Sequence, residues 1–208
     1  MNIRQVKFDG YFAQEFDKTQ VYLHHTAGAA DGERQFKFWQ GDPVKVATCV
    51  CISRSGEIIQ GFSSKHWAHH LGLTTKHFYS RKLVYRNLDR CSIGIELCNW
   101  GWLKKDGDNF LTYTGSKLHP DVVTTLDKPY RGHLHWETYT DAQIQSVKEL
   151  LLLWHDKYGI PLGYNEDIWD VTKRAFMGQP GVYTHNSVRI DKTDVAPQKK
   201  LIEMLKSL

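Results

Sequence analysis

The sequence predicts an α/β fold in which helices flank a mixed central β-sheet. Strand-like segments come first, and helix-like segments then alternate with further strands, which fits an α/β or α+β chain with a mixed sheet. A length of 208 residues is ordinary for one domain with its own core. We therefore expect residues 1–208 to form a single domain, with insertions at about 101–136 and 165–180 where this pattern is interrupted.

Four segments have the residue types of β-strands. Residues 19–25 (TQVYLHH) form a β-branched and aromatic run that ends in polar residues. Residues 47–52 and 57–60 surround the sequence Ser-Arg-Ser-Gly56, which predicts a hairpin with glycine at its turn. Residues 91–97 (CSIGIEL) alternate as a central strand does.

Helices are predicted by caps and by apolar spacing. Thr140 and Gln143 have the spacing of a capping box, and apolar residues follow at helical intervals over residues 144–154. A shorter helix is predicted over residues 31–39, and a last one after Pro197.

Composition excludes several classes of protein. No apolar run approaches the roughly 18 residues of a membrane span, so we expect no transmembrane segment. The net charge of +4 would favour approach to an anionic polymer, either cell-wall glycan or nucleic acid, without choosing between them. Eleven histidines and seven tryptophans are not explained by an ordinary composition, so the search for a site begins with the histidines.

The cysteines and the first residues indicate a compartment. The four cysteines form no CxxC pair and suit buried thiols on strands, which predicts synthesis in a reducing cytoplasm. Residues 1–20 carry charges throughout and lack an apolar core, so we expect no signal peptide.

Two histidines and an aspartate from distant segments suit a catalytic zinc site. His24 ends the first predicted strand, while His185 and Asp194 lie near the end of the chain. Three protein ligands with a fourth position open for water are typical of such a site. Glu96 is the one charged residue inside an apolar strand, and a carboxylate at a strand end facing a cleft suits general-base work.

These positions carry a family resemblance. The motifs at residues 21–28, at 92–96 (SIGIE), and at His185 and Asp194 with Lys192 resemble the zinc amidases of type 2. That family includes short phage amidase lysozymes, bacterial muropeptide amidases and peptidoglycan recognition proteins. Further fragments in the same order, at residues 52–60, 70–72 and 139–143, also resemble the family, so the likeness covers residues 19–200.

The resemblance implies hydrolysis of the amide between N-acetylmuramic acid and L-alanine of the stem peptide. By position, one zinc ion would be held by His24, His185 and Asp194. Glu96 would be the base that takes a proton from water, and Lys192 would stabilise the developing oxyanion, a role that suits preorganised positive charge.

Three further residues are assigned to substrate binding. His70 lies in a His-x-Gly sequence like that of the family, although it would equally fill the groove wall. Thr48 occupies a strand position where family members often carry His or Tyr. Trp100 follows the Glu96 strand and could stack on a sugar ring, but packing in the core or at the rim explains it as well.

The preferred interpretation is a phage-type endolysin that acts as a monomer on peptidoglycan once it is released to the periplasm or wall. A cytoplasmic amidase that recycles soluble muropeptides is the alternative, as is a peptidoglycan-binding module without hydrolysis. No nucleic-acid partner is expected, because a structural zinc would need a fourth protein ligand and the chain offers no obvious candidate.

Overall fold

The computed structural model describes residues 2–28 and 31–208, which form two β-sheets and six α-helices. The strands are β1 (Ile3–Gln5), β2 (Gln20–His25), β3 (Val50–Ile52), β4 (Ile58–Gln60), β5 (Ser92–Leu97), β6 (Trp102–Asp106), β7 (Asn109–Leu111), β8 (Lys117–Leu118), β9 (Val123–Tyr130), β10 (His133–Glu137) and β11 (Gly181–Thr184). The helices are α1 (Gly32–Trp39), α2 (Thr75–Tyr79), α3 (Leu88–Cys91), α4 (Asp141–Tyr158), α5 (Lys173–Phe176) and α6 (Lys199–Lys206). Short 3-10 turns span Pro120–Val122, Glu166–Trp169 and His185–Ser187.

The main sheet is mixed and has the strand order β1-β4-β3-β5-β2-β11. Strands β3, β5, β2 and β11 run parallel to one another, while β3 and β4 form the antiparallel hairpin predicted from the sequence. Gly56 has a positive φ at the hairpin turn, where residues with a β-carbon are strained. The sheet and the helices around it confirm the predicted α/β class.

The two central strands of this sheet bring two of the predicted site residues together. Strands β2 and β5 are buried along their whole length. Their register pairs His24 with Glu96, and Cys51 of β3 also pairs with Glu96. Residues paired in this way point to the same face of a sheet. His24 and Glu96 therefore lie side by side near the carboxyl ends of parallel strands, where ligands bind in open α/β sheets.

The segment at 101–136 is folded as a second, antiparallel sheet rather than as a long loop. Its strand order is β8-β7-β6-β10-β9. Many of its residues are half-buried or exposed, so the hydrophobic alternation that reveals a strand is weak in the sequence. The strands β1 and β11 were also missed, because segments of three and four residues give little periodicity.

Helix α4 closes the main sheet on one side. The predicted capping box is present: the Thr140 hydroxyl accepts from the Gln143 backbone N–H at 3.1 Å, and the Gln143 side-chain oxygen accepts from the Thr140 N–H at 3.2 Å. The Gln143 amide also donates to the Cys98 carbonyl at 2.9 Å, which ties the helix to the end of β5. The apolar stripe of the helix is buried in the core. No helix among the described residues is both long and apolar enough to cross a bilayer.

We expect Thr140→Ala to lower the free energy of unfolding by about 1 kcal/mol, the usual cost of removing an N-cap hydroxyl. The hydroxyl also donates to the Arg54 carbonyl at 2.8 Å, so the hairpin loses a contact with the helix as well. Equilibrium urea unfolding measures the change. The control is Thr75→Ala, since Thr75 is exposed and its substitution should leave stability within error of wild type. Equal stability of the two variants would contradict the capping role.

Candidate active site

A cleft of about 380 Å³ opens at the carboxyl ends of the parallel strands. Strand β2 supplies His24, strand β5 supplies Glu96, and the turn after β11 supplies His185. The loop that precedes α6 contributes Lys192 and Asp194. The cleft thus gathers residues that lie up to 170 positions apart in the sequence.

Three of these side chains converge on one point. Nδ1 of His24 lies 3.1 Å from Nδ1 of His185 and 3.1 Å from Oδ2 of Asp194. Nδ1 of His185 lies 2.9 Å from the same carboxylate oxygen. All three residues are buried, and together they could hold a metal ion.

The donor set and its spacing fit a zinc ion. Zinc takes imidazole nitrogen and carboxylate oxygen at about 2.0–2.2 Å in tetrahedral geometry, which places neighbouring ligand atoms about 3.3–3.5 Å apart. The separations of 2.9–3.1 Å are within a few tenths of an ångström of that spacing. Metal-binding histidines also tie their other ring nitrogen to the protein. Here Nε2 of His185 lies 3.1 Å from the Leu71 carbonyl, and Nε2 of His24 lies 3.0 Å from His70.

The loop with Asp194 is held by buried polar contacts. The Asn186 side-chain amide donates to the Val195 carbonyl at 3.2 Å, and the Tyr139 hydroxyl accepts from the Ala196 N–H at 3.1 Å. That hydroxyl also lies 3.0 Å from Nδ1 of His25. His25 therefore lies behind the cluster, on the opposite face of β2 from His24, as the alternation of a strand requires.

The surroundings of His24 and Asp194 set the protonation of these two side chains. Burial, together with the neighbouring His185, lowers the pKa of His24 to about 4, so the ring is neutral at pH 7. Burial alone would raise the pKa of Asp194, but His185 and His24 outweigh it and hold that pKa well below its usual value. Neutral imidazole and ionised carboxylate are the forms that bind a metal.

The pKa of Glu96 is shifted in the opposite direction from that of Asp194. Burial raises the pKa of Glu96 well above its usual value, and the negative charge of Asp194 raises it further, whereas Lys192 opposes the shift. A carboxylate with a raised pKa next to a metal-ligand cluster is suited to accept and return a proton.

Of the three residues predicted to bind substrate, Thr48 and His70 line the cleft and Trp100 does not. Thr48 lines the cleft, but its hydroxyl is already bonded to the Val50 carbonyl at 2.9 Å. His70 also reaches the cleft, but its side chain is only 4% exposed and its ring nitrogens contact His24 and Ser92. Polar groups that are already bonded inside the protein are less free to bind a ligand.

Trp100 is not among the residues that line the cleft. Its backbone N–H donates to the Glu137 carboxylate at 2.6 Å, and its ring packs edge-on to Tyr113 with 6.1 Å between ring centres. The tryptophan therefore joins the main sheet to the second sheet.

Sequence reasoning missed the wall that α1 adds to the cleft. Phe38 is 81% exposed and lines the cleft together with Gln35 and Val46. Phe36 and Trp39 form the buried stripe of the helix. Phe38 lies outside that stripe, on the polar face of the helix. A large apolar residue at such a position is the sequence signal that could have identified this wall of the cleft.

Comparison with known proteins identifies the family. The family model for N-acetylmuramoyl-L-alanine amidase, Amidase_2, matches residues 16–199. No curated protein sequence matches the chain. The structure of PlyL is similar with a TM-score of 0.57 and 15% identity, covering 99% of this chain and 98% of PlyL.

Two further solved structures have the same fold. A selenomethionine derivative of AmpD has a TM-score of 0.56 and 18% identity, covering 98% of this chain and 93% of AmpD. The N-acetylmuramoyl-L-alanine amidase LysC from Clostridium intestinale URNW has a TM-score of 0.51 and 13% identity, covering 100% of this chain and 96% of LysC. At these identities the likeness concerns the fold, whereas the family match extends over most of the sequence. The chain belongs to the N-acetylmuramoyl-L-alanine amidase family, Amidase_2.

Proposed function

We propose that the chain is a zinc-dependent hydrolase that cuts the amide between N-acetylmuramic acid and L-alanine of peptidoglycan, and that it acts as a phage-type endolysin. The observation that carries the proposal is the convergence of two imidazole nitrogens and a carboxylate oxygen within 2.9–3.1 Å, in the same cleft as Glu96 and Lys192. The family match supports the choice of bond.

His24, His185 and Asp194 would hold the zinc ion. When bound, zinc supplies Lewis acidity, which lowers the pKa of a coordinated water to about 7 and polarises a carbonyl oxygen. The strand register pairs Glu96 with His24, so the base lies beside one of the proposed ligands.

Glu96 moves the proton that hydrolysis requires. Its carboxylate oxygen takes the proton of the attacking water and returns it to the amide nitrogen as the carbon–nitrogen bond breaks. The products are a muramic acid carboxylate and a stem peptide with a free L-alanine amine. The raised pKa of Glu96 favours the first half of this transfer, because a base of higher pKa takes a proton more readily.

Lys192 would stabilise the oxyanion that develops on the carbonyl. We expect Lys192→Gln to lower kcat by about 10²–10³-fold, the usual effect of removing one oxyanion donor, with a smaller change in KM. Steady-state kinetics on a soluble muropeptide measure this. Lys199→Gln is the control, because that side chain is 89% exposed on α6. If both variants turn over at the wild-type rate, Lys192 has no part in the reaction.

The endolysin role draws on two features of the chain. The net charge of +4 favours approach to an anionic wall polymer. The second sheet follows β5 in the chain and would extend the substrate-binding face beyond the cleft.

The test is digestion of purified peptidoglycan and, separately, of soluble muropeptides by the zinc-loaded protein, with products identified by mass spectrometry. Stem peptides that begin with free L-alanine, together with uncut glycan, are expected from peptidoglycan. Cleavage restricted to soluble muropeptides would replace the endolysin role with a recycling role. Binding of peptidoglycan without cleavage, with zinc in place, would instead make the chain a recognition module.

A further inference from the structure

One short segment contacts the outer nitrogens of both histidines in the proposed zinc site. Nδ1 of His70 lies 3.0 Å from Nε2 of His24, and the Leu71 carbonyl oxygen lies 3.1 Å from Nε2 of His185. We call His70 and Leu71 the 70–71 segment. It precedes Gly72 in the loop before α2, where Leu71 is buried and the His70 side chain is 4% exposed.

A chain of hydrogen bonds fixes which nitrogen of His24 carries its hydrogen. The Ser92 hydroxyl lies 2.8 Å from the Leu88 carbonyl, and because a carbonyl only accepts, the hydroxyl donates there. The same hydroxyl lies 2.8 Å from Nε2 of His70, so it accepts from that nitrogen. With its hydrogen on Nε2, a neutral His70 presents Nδ1 as an acceptor toward Nε2 of His24.

The consequence for His24 is a defined tautomer. Its Nε2 donates to His70, which leaves the lone pair of Nδ1 directed at Asp194 and His185. A single hydrogen bond to a backbone carbonyl fixes the same tautomer in His185. Its Nε2 donates to the Leu71 carbonyl, which leaves Nδ1 on the side of the cluster.

Asp89 holds the 70–71 segment in place. Its Oδ1 accepts from the backbone N–H groups of His70 and Leu71 at 3.1 and 3.0 Å, and its Oδ2 lies 3.1 Å from Nδ1 of His69. The carboxylate is 3.8 Å from Nε2 of His70, which is too long for a hydrogen bond, so that nitrogen remains committed to Ser92.

The loop of Asp194 holds the other end of this segment. The Arg189 guanidinium donates to the Gly72 carbonyl at 2.8 Å. Arg189 is itself fixed by a two-pronged ion pair with Asp191, with distances of 2.6 and 2.8 Å. The segment is thus fastened both to α3, next to β5, and to the loop that carries the third ligand.

We propose that His70 is a positioning residue for zinc: it holds His24 in the tautomer and orientation that direct Nδ1 at the metal, while the adjoining Leu71 carbonyl does the same for His185. This proposal rests on the proposed zinc site. It assigns His70 a place behind the ligands instead of the substrate contact expected from the sequence.

The test compares zinc affinity in wild type, His70→Phe and His70→Asn, measured by competition with a chromophoric chelator. Phenylalanine fills the space without an acceptor, and affinity should fall by about 10–100-fold, as it does when partners of metal ligands are removed. Asparagine branches at the same atom, so its amide oxygen can take the place of Nδ1, and affinity should return to near the wild-type value. His119→Phe is the control, since that side chain is 74% exposed.

Nitrogen-15 NMR of histidine-labelled, metal-free wild type provides a second measurement. It should find the hydrogen of His24 on Nε2, and the same tautomer in His70→Asn. A hydrogen on Nδ1 of His24 would overturn the proposal, as would wild-type zinc affinity in a folded His70→Phe. If His70→Phe does not fold, the wild-type spectrum and His70→Asn decide. If wild type takes up no zinc, the proposed function fails, while the tautomer of His24 still tests the positioning role.

Discussion

Replacing Glu96 by glutamine lowers kcat by about 10²–10⁴-fold, the usual contribution of a general base, while zinc stays bound. Glutamine matches the size of glutamate, so the buried position on β5 is filled, but an amide cannot take up the proton of the attacking water. Zinc is retained because its proposed ligands come from β2 and from the two loops near the end of the chain. Steady-state kinetics and metal analysis of the purified variant measure the two effects separately.

The matched control is Glu149→Gln on α4, a residue whose carboxylate contacts Gln145 outside the cleft. Its kinetics should match those of wild type. Turnover at the wild-type rate in Glu96→Gln would remove Glu96 from the mechanism. Loss of zinc from that variant would instead make Glu96 part of the metal site.

Replacing Asp194 by alanine should weaken zinc binding by more than about 100-fold, and activity should fall with it. Removing a partner of a metal ligand costs about 10–100-fold in affinity, so removing the ligand itself should cost more. The two histidines would remain without the negative charge that Asp194 supplies. Chelator competition measures the affinity, and activity in excess zinc shows how much turnover can be restored.

The control for this prediction is Asp170→Ala. Asp170 forms an ion pair with Arg131, and its side chain is 75% exposed. Zinc affinity should be unchanged in that variant, because the loss of one surface carboxylate does not reach the cleft. Full zinc occupancy in Asp194→Ala, at the affinity of wild type, would show that the assignment of the three ligands is wrong.

The elements with strong periodicity could be predicted from the sequence. Helix α4 has a capping box and an apolar stripe. In β5, apolar residues alternate with small or polar ones, and the whole strand is buried, so the local sequence pattern agrees with the tertiary packing. The second sheet could not be predicted in this way. Its strands expose much of their surface, and the resulting mixture of polar and apolar residues is also typical of a loop.

The residues of the candidate site could be predicted from spacing and resemblance, whereas their contacts depend on the folded structure. Neighbouring residues of a strand point to opposite faces, so only one of His24 and His25 can face a cleft. The family resemblance indicates that this residue is His24. The position of His70 could not be inferred, because its contact with His24 depends on side-chain orientation and on an acceptor at Ser92 from another part of the chain. Trp100 joins two sheets, one of which the sequence did not reveal.

The most direct test of the account is to follow one peptidoglycan digest through removal and return of zinc. Mass spectrometry should detect stem peptides with free L-alanine from the zinc-loaded protein, none after thorough chelation, and the same peptides once zinc is restored. Unchanged release of these peptides by the metal-free protein would contradict the account, as would products cut within the glycan strand.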